Sequence, residues 1–179
     1  MNLPNKLTCL RVILIPFFIV FMLTGRGGAA GKYIALAIFL VASFTDILDG
    51  YLARRDHLVT NFGKFMDPLA DKLLVCSALI CFVEQGKLAA WIVIIIIARE
   101  FAISAFRLIA SDNGIVIAAS YWGKFKTVSQ MIMTVLLILD IPALYWLEQA
   151  FIWIALALTV ISMIDYFAKN IQIVKQGGF

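Results

Sequence analysis

Asp46-Ile47-Leu48-Asp49-Gly50-Tyr51-Leu52-Ala53-Arg54, followed after eight residues by Gly63-Lys64-Phe65-Met66-Asp67-Pro68-Leu69-Ala70-Asp71, decides how this chain is read. Four carboxylates stand here between two long apolar stretches. An acid at membrane depth is costly, so each one is a functional candidate. At about 100° per residue, Asp49 lies about −60° from Asp46 on a helical wheel, Gly50 about +40° and Ala53 about −20°. Two carboxylates and two minimal side chains therefore share one face. Gly63, Asp67 and Asp71 follow i, i+4, i+8 and form one stripe. The connection is short, so the spacing predicts two antiparallel neighbours whose acidic faces meet.

Facing carboxylates repel one another unless cations lie between them. Hard divalent ions with oxygen ligands, Mg²⁺ or Mn²⁺, meet that demand. Four negative charges balance two such ions, the charge count of a two-metal site for phosphoryl chemistry. Gly50, Ala53 and Gly63 leave open space for a ligand, and Arg54 is placed to neutralise phosphate oxygens. Taken alone, buried acids also serve as ion-paired structural groups or as a proton or cation path in a transporter.

The surrounding composition agrees with a membrane setting. Hydrophobic residues make up 63% of the 179 residues and charged residues 15%, against roughly 45–50% and 25% in soluble domains. A soluble fold of this size has too little interior to hide that surface. The excess excludes a soluble enzyme, a disordered chain and a nucleic-acid-binding domain. The apolar segments are continuous rather than alternating, which predicts an all-α integral membrane protein, a single domain over residues 1–179. Six spans are expected, at about 8–23, 33–53, 61–83, 88–110, 125–139 and 147–167. Turn-like breaks separate them, among them Gly25 to Gly28, Glu84 to Lys87, Ser111 to Gly114 and Asp140-Ile141-Pro142. The first span reads as retained, not as a signal peptide, and is preceded by a short juxtamembrane amphipathic segment from Leu3 to Arg11. Cys9, Cys76 and Cys81 lie in apolar stretches and read as small hydrophobes, not as a disulfide or metal set.

Lysine and arginine set the orientation. With the N-terminus inside, twelve of the 15 basic residues fall on the cytoplasmic side, and only Arg26, Lys32 and Lys87 fall outside. Both termini and the acidic cluster are then cytoplasmic. On that side Arg99, Ile103 and Arg107 share a stripe, and Lys124 and Lys126 open the fifth span after a short loop. Four cations in one pocket beside the acids suit a phosphate-bearing acceptor; the competing reading is ordinary positive-inside charge with headgroup contacts. Glu100 pairs with one of these cations, His57 is a solvated loop residue, Asp140 and Glu148 solvate the external turn, and Asp165 pairs with Lys169 at i, i+4.

The acidic string resembles, residue for residue, the signature of the CDP-alcohol phosphotransferase family, D-x2-D-G-x2-A-R-x8-G-x3-D-x3-D. That resemblance implies a six-span membrane enzyme, usually a homodimer, that moves a phosphatidyl or similar group from a CDP-activated lipid onto an alcohol and releases CMP. It implies that Asp46, Asp49 and Asp67 are metal ligands, and Asp71 both a ligand and the general base. Gly50, Ala53 and Arg54 would hold the CDP part of the donor, completed by Thr60 and, more loosely, Asn5 and Thr8. Ala98-Arg99-Glu100-Phe101, Arg107, Gly114-x-Val116-x-Ala118-Ala119 and Gly123-Lys124-x-Lys126-Thr127 are similar to one branch, the bacterial enzymes that take glycerol 3-phosphate as acceptor. Leu3 to Thr8 with Arg11, and Phe62 to Leu74, fit the same branch, so the resemblance covers nearly the whole chain. It implies CDP-diacylglycerol and glycerol 3-phosphate as substrates, two Mg²⁺ or Mn²⁺ ions, the bacterial plasma membrane as location, and an acceptor phosphate held by Arg99, Arg107, Lys124 and Lys126. Tyr121-Trp122 departs from the branch in being aromatic, which suits a membrane-interface anchor.

Overall fold

The computed structural model describes the backbone of residues 3–25, 27–55, 61–112 and 120–176, and their side chains except at 3–4, 29, 46–55, 61–65, 67–68, 111–112 and 171–176. The regular structure among these residues is entirely helical: α1 (Leu3–Leu23), α2 (Gly31–Arg55), α3 (Asn61–Glu84), α4 (Ala90–Asp112), α5 (Tyr121–Leu139) and α6 (Tyr145–Gln176). Short 3-10 turns at Gly28–Ala30 and Pro142–Leu144 precede α2 and α6. Asn5–Leu23 and Pro142–Asn170 are each long and apolar enough to cross a membrane, and Gly31–Thr45 is a shorter apolar helix.

Local chemistry explains where the helices end. Thr24 closes α1 with its hydroxyl on the Val20 carbonyl at 2.7 Å. At the end of α3, Gly86 (φ 71°) turns the chain left-handed, its N–H donates to Val83, and the Lys87 N–H donates to Phe82. That pair of bonds is a Schellman closure. Ser120 caps α5 by accepting the Gly123 N–H on its hydroxyl at 3.1 Å. Asp140 ends α5 in a left-handed conformation (φ 49°, ψ 60°), and Pro142 follows.

Two boundaries differ most from expectation. The segment from Leu3 to Arg11 is not a separate surface element but the first turns of α1, because no breaker interrupts the helix there. Within it, Asn5, Thr8 and Arg11 are buried. The last helix continues to Gln176 across a kink at Asn170 (φ −115°, ψ 17°), whose side-chain amide donates to the Tyr166 carbonyl at 2.8 Å. Gly114 and His57 lie outside the described residues.

The chain forms two compact units, Met1–Leu88 and Ala89–Phe179. In the first, α1 packs on both α2 and α3, and α2 contacts α3. Phe18 and Phe39 meet at 6.1 Å between ring centroids, and Gln85 donates to the Met22 carbonyl at 2.7 Å. In the second, α6 packs on α4 and α5, with Trp91 against Trp153 and Phe106 edge-on to Tyr166.

The distribution of polarity in α5 is the reverse of a soluble amphipathic helix. Lys126, Ser129, Gln130 and Thr134 are buried, while Phe125, Val128 and Ile132 are exposed. In α6, Thr159 and Ser162 are likewise buried and return their hydroxyls to the Ala155 and Thr159 carbonyls. Polar groups inside and apolar groups outside suit a hydrocarbon surround, where helices associate through small and hydroxyl side chains. The chain is a membrane protein. No disulfide joins Cys9, Cys76 or Cys81, and the Asp165–Lys169 pair is formed at 2.7 Å. Glu148 departs from its expected role: it is 7% exposed and belongs to the interior, since it opens the buried stripe of α6 that continues through Ile152, Ala155, Thr159 and Ser162.

Candidate functional site

The backbone places the first acidic string on one uninterrupted helix, α2, and the second on α3. The helical spacing assumed for Asp46, Asp49, Gly50 and Ala53, and for Gly63, Asp67 and Asp71, is therefore the spacing of the fold, on two helices that touch. Thr60 lies outside the described residues, and the side chains of Asp46, Asp49, Gly50, Ala53, Arg54 and Asp67 lie outside the described side chains. Asp71 is described and exposed. The packing stripe of α3 is Ala70, Leu74 and Ala78, each 0–1% exposed. Asp71 stands one residue, about 100°, round from it. The core of this unit thus leaves the Asp71 carboxylate out of the apolar contact.

One turn before Asp46, the Ala42 carbonyl is a meeting point. It accepts the Thr45 hydroxyl at 2.7 Å and the Nε of Arg11 at 3.2 Å. Arg11 is fully buried. Asn5 and Thr8, the looser candidates for the nucleotide site, lie buried in the same helix as Arg11, about two turns and one turn earlier respectively.

In the second unit the four candidate cations divide. Arg99 and Lys126 are buried, at 8% and 3% exposure, and both donate to Oε1 of Glu100: Arg99 through Nη1 at 2.9 Å and Lys126 through Nζ. Arg99 also lies along the first turn of α5, its Nη2 3.5 Å from the point where a Cβ on Gly123 would stand. A Cβ there would make ordinary van der Waals contact with the guanidinium. Arg107 is exposed and its guanidinium lies 5.8 Å from the centroid of the Tyr166 ring on α6. Lys124 is exposed, with its ammonium 5.5 Å from the Tyr121 ring. The structure thus joins Arg99 to Lys126 and sets Arg107 and Lys124 on aromatic faces.

Three buried donors in this unit have no hydrogen-bond partner among the described residues: Arg99 Nε, Gln130 Nε2 and the Tyr166 hydroxyl. Gln130 was not singled out in the sequence, although Lys126, Gln130 and Thr134 form an i, i+4, i+8 polar stripe in an apolar span. That stripe was the available signal. Glu100 takes both cations rather than one.

Residues 1–161 match the family profile described as CDP-alcohol phosphatidyltransferase. The chain is 44% identical to a CDP-diacylglycerol–glycerol-3-phosphate 3-phosphatidyltransferase of Bacillus subtilis, over 97% of each chain. It is 43% identical to the protein of the same name from Haemophilus influenzae, over 92% of this chain and 91% of that one. A probable phosphatidylglycerophosphate synthase of Mycobacterium tuberculosis is 39% identical over 96% of this chain and 82% of its own.

Proposed function

Because the chain belongs to the CDP-alcohol phosphatidyltransferase family, we infer that it transfers the phosphatidyl group of CDP-diacylglycerol to glycerol 3-phosphate. The products are phosphatidylglycerophosphate and CMP, and the protein is a transferase of phospholipid biosynthesis. The observation that carries this reading is the 44% identity over 97% of both chains to a relative that bears that name.

The donor set fits a divalent metal. Asp46, Asp49, Asp67 and Asp71 offer only carboxylate oxygens, the ligands that Mg²⁺ and Mn²⁺ prefer, and the family is generally dependent on divalent metal. Among the described residues no three Asp, Glu, His or Cys side chains group together, and three of these four side chains fall outside that description. Two bound ions would stabilise the charge that develops on the transferred phosphate and on departing CMP. Arg54, with Gly50 and Ala53 leaving space beside it, holds the donor diphosphate. Thr60, Asn5 and Thr8 complete the nucleotide contacts. Asp71 accepts the proton of the acceptor hydroxyl as that oxygen attacks the lipid-side phosphorus in line. Its exposure outside the α3 packing stripe supports this role. The acceptor phosphate takes its charge-assisted bonds from the basic group of Arg99, Lys126, Lys124 and Arg107.

Six spans with both termini and the active site at the cytoplasmic face of a bacterial plasma membrane complete the proposal. Its support is the six-helix order and the twelve-to-three division of basic residues. The homodimer implied by the resemblance belongs with it and is tested by native mass spectrometry in detergent. Activity is tested with detergent-purified protein, CDP-diacylglycerol and Mg²⁺, by offering glycerol 3-phosphate, glycerol, serine, inositol phosphate and phosphatidylglycerol in turn while CMP is measured. CMP release with glycerol 3-phosphate well above every other acceptor is the expected result. Equal release with glycerol would overturn it.

A further inference from the structure

Glu100 puts a negative charge in the middle of a basic group, where it would repel an anionic substrate. Its geometry gives a reason for its presence. Arg99 comes from α4 and Lys126 from α5, yet both donate to the same oxygen, Oε1. Convergence on one atom fixes the two cationic heads against each other across the two helices. Neither head is dissolved in water, since Arg99 and Lys126 are 8% and 3% exposed. Both long side chains are therefore ordered before any ligand arrives, which removes an entropy cost from binding.

The group so ordered still offers donors. Arg99 Nε is buried without an acceptor among the described residues, and so is Gln130 Nε2. Gln130 stands one turn beyond Lys126 on α5, and helical side chains of this length lean back toward the preceding turn. With one anion against two cations, the cluster also keeps a net positive charge. Unfilled buried donors and residual positive charge beside a locked pair of cations suit a phosphate oxygen as the missing partner.

We propose that Glu100 is a positioning residue for acceptor recognition, holding Arg99 and Lys126 in the one arrangement that grips the phosphate of glycerol 3-phosphate. The proposal rests on reading the basic group as the acceptor-phosphate site. It makes a prediction opposite in sign to that of a plain counter-ion. If Glu100 only offsets charge, neutralising it leaves a more positive site and tightens the acceptor. If it positions, neutralising it frees the two cations and loosens the acceptor.

The test compares Glu100→Gln, Glu100→Asp and Arg99→Ala by steady-state kinetics with both substrates varied, alongside thermal stability in detergent. Gln keeps the shape and loses the charge; Asp keeps the charge and loses one methylene of reach. Either variant should raise the KM for glycerol 3-phosphate by about tenfold or more. The KM for CDP-diacylglycerol should stay within about twofold of its original value. Should the Gln variant prove too unstable to purify, the Asp variant alone decides. An unchanged or lower acceptor KM overturns the proposal, as does a parallel rise in both KM values that tracks lost stability. Arg99→Ala separates the two levels. If it leaves the acceptor KM unchanged, the basic group is not the acceptor site. If it raises that KM while the Glu100 variants do not, only the positioning role fails.

Discussion

Arg11 on α1 donates its Nε to the Ala42 carbonyl on α2 at 3.2 Å, one turn before Asp46, with no part of its side chain exposed. A charged group this deep ties the two helices together next to the acidic string. The same carbonyl accepts the Thr45 hydroxyl, which pins the α2 backbone at that level from its own side.

Arg11→Ala should therefore cost stability. A hydrogen bond from a charged group contributes about 1.5–3 kcal/mol, and the buried aliphatic stem adds packing that alanine cannot replace. The loss is read as a lowered thermal midpoint in detergent. Arg11→Lys keeps the charge without the Nε donor and should recover only part of it. A midpoint unchanged in Arg11→Ala would show that this bond does not hold α1 to α2.

Metal dependence is the second expectation. Chelation by EDTA should abolish CMP release, and added Mg²⁺ or Mn²⁺ should restore it, because four carboxylates on two touching helices need about two divalent charges to coexist. Asp46→Asn, Asp49→Asn and Asp67→Asn should each raise the Mg²⁺ concentration needed for half-maximal activity. Full turnover in excess chelator would remove the metals from the mechanism.

Asp71→Asn tests the proton acceptor. It should lower kcat by about 100-fold or more, the typical contribution of a positioned general base. Binding of CDP-diacylglycerol, followed by equilibrium binding of labelled donor, should remain measurable. A variant that turns over at near-original rate would assign the proton to another group.

Legibility of the fold followed the reach of local chemistry. The helix order could be read because Gly86 and Pro142 act on their own neighbours, while the Ser120 cap, which starts α5 at Tyr121 and not near 125, went unread. The acidic string could be read because helical spacing alone puts its members on shared faces. Burial could not, since it depends on which helix lies opposite. Glu148 looks like a solvating turn residue and is interior; Arg11 looks like an interfacial cation and is fully buried. Arg99 and Arg107 illustrate the limit most clearly. Two turns apart on one stripe, they meet different partners, Glu100 and Gly123 for the first and the Tyr166 ring for the second. No rule of spacing within α4 distinguishes them.

That difference in partners reorders the acceptor site and yields the last prediction. The sequence groups Arg99, Arg107 and Lys124, with Lys126 as the weakest member, and the structure divides them differently. Arg99 and Lys126 are buried and share a carboxylate, while Arg107 and Lys124 are exposed on aromatic rings. A charge-assisted bond sheltered from water is worth about 1.5–3 kcal/mol, whereas an exposed charge contributes about 0–1 kcal/mol. Arg99→Ala and Lys126→Ala should therefore raise the KM for glycerol 3-phosphate by about tenfold or more. Arg107→Ala and Lys124→Ala should raise it by less than about fivefold. Salt separates the two pairs further. Raising the ionic strength from about 0.05 to 0.5 M should erode the contribution of Arg107 and Lys124 and leave that of Arg99 and Lys126 largely intact, because buried charges are screened less. Measuring the acceptor KM for the four variants at both salt concentrations checks this directly. Four equal effects that all vanish at high salt would mean that the group acts only as a diffuse positive surface at the cytoplasmic face.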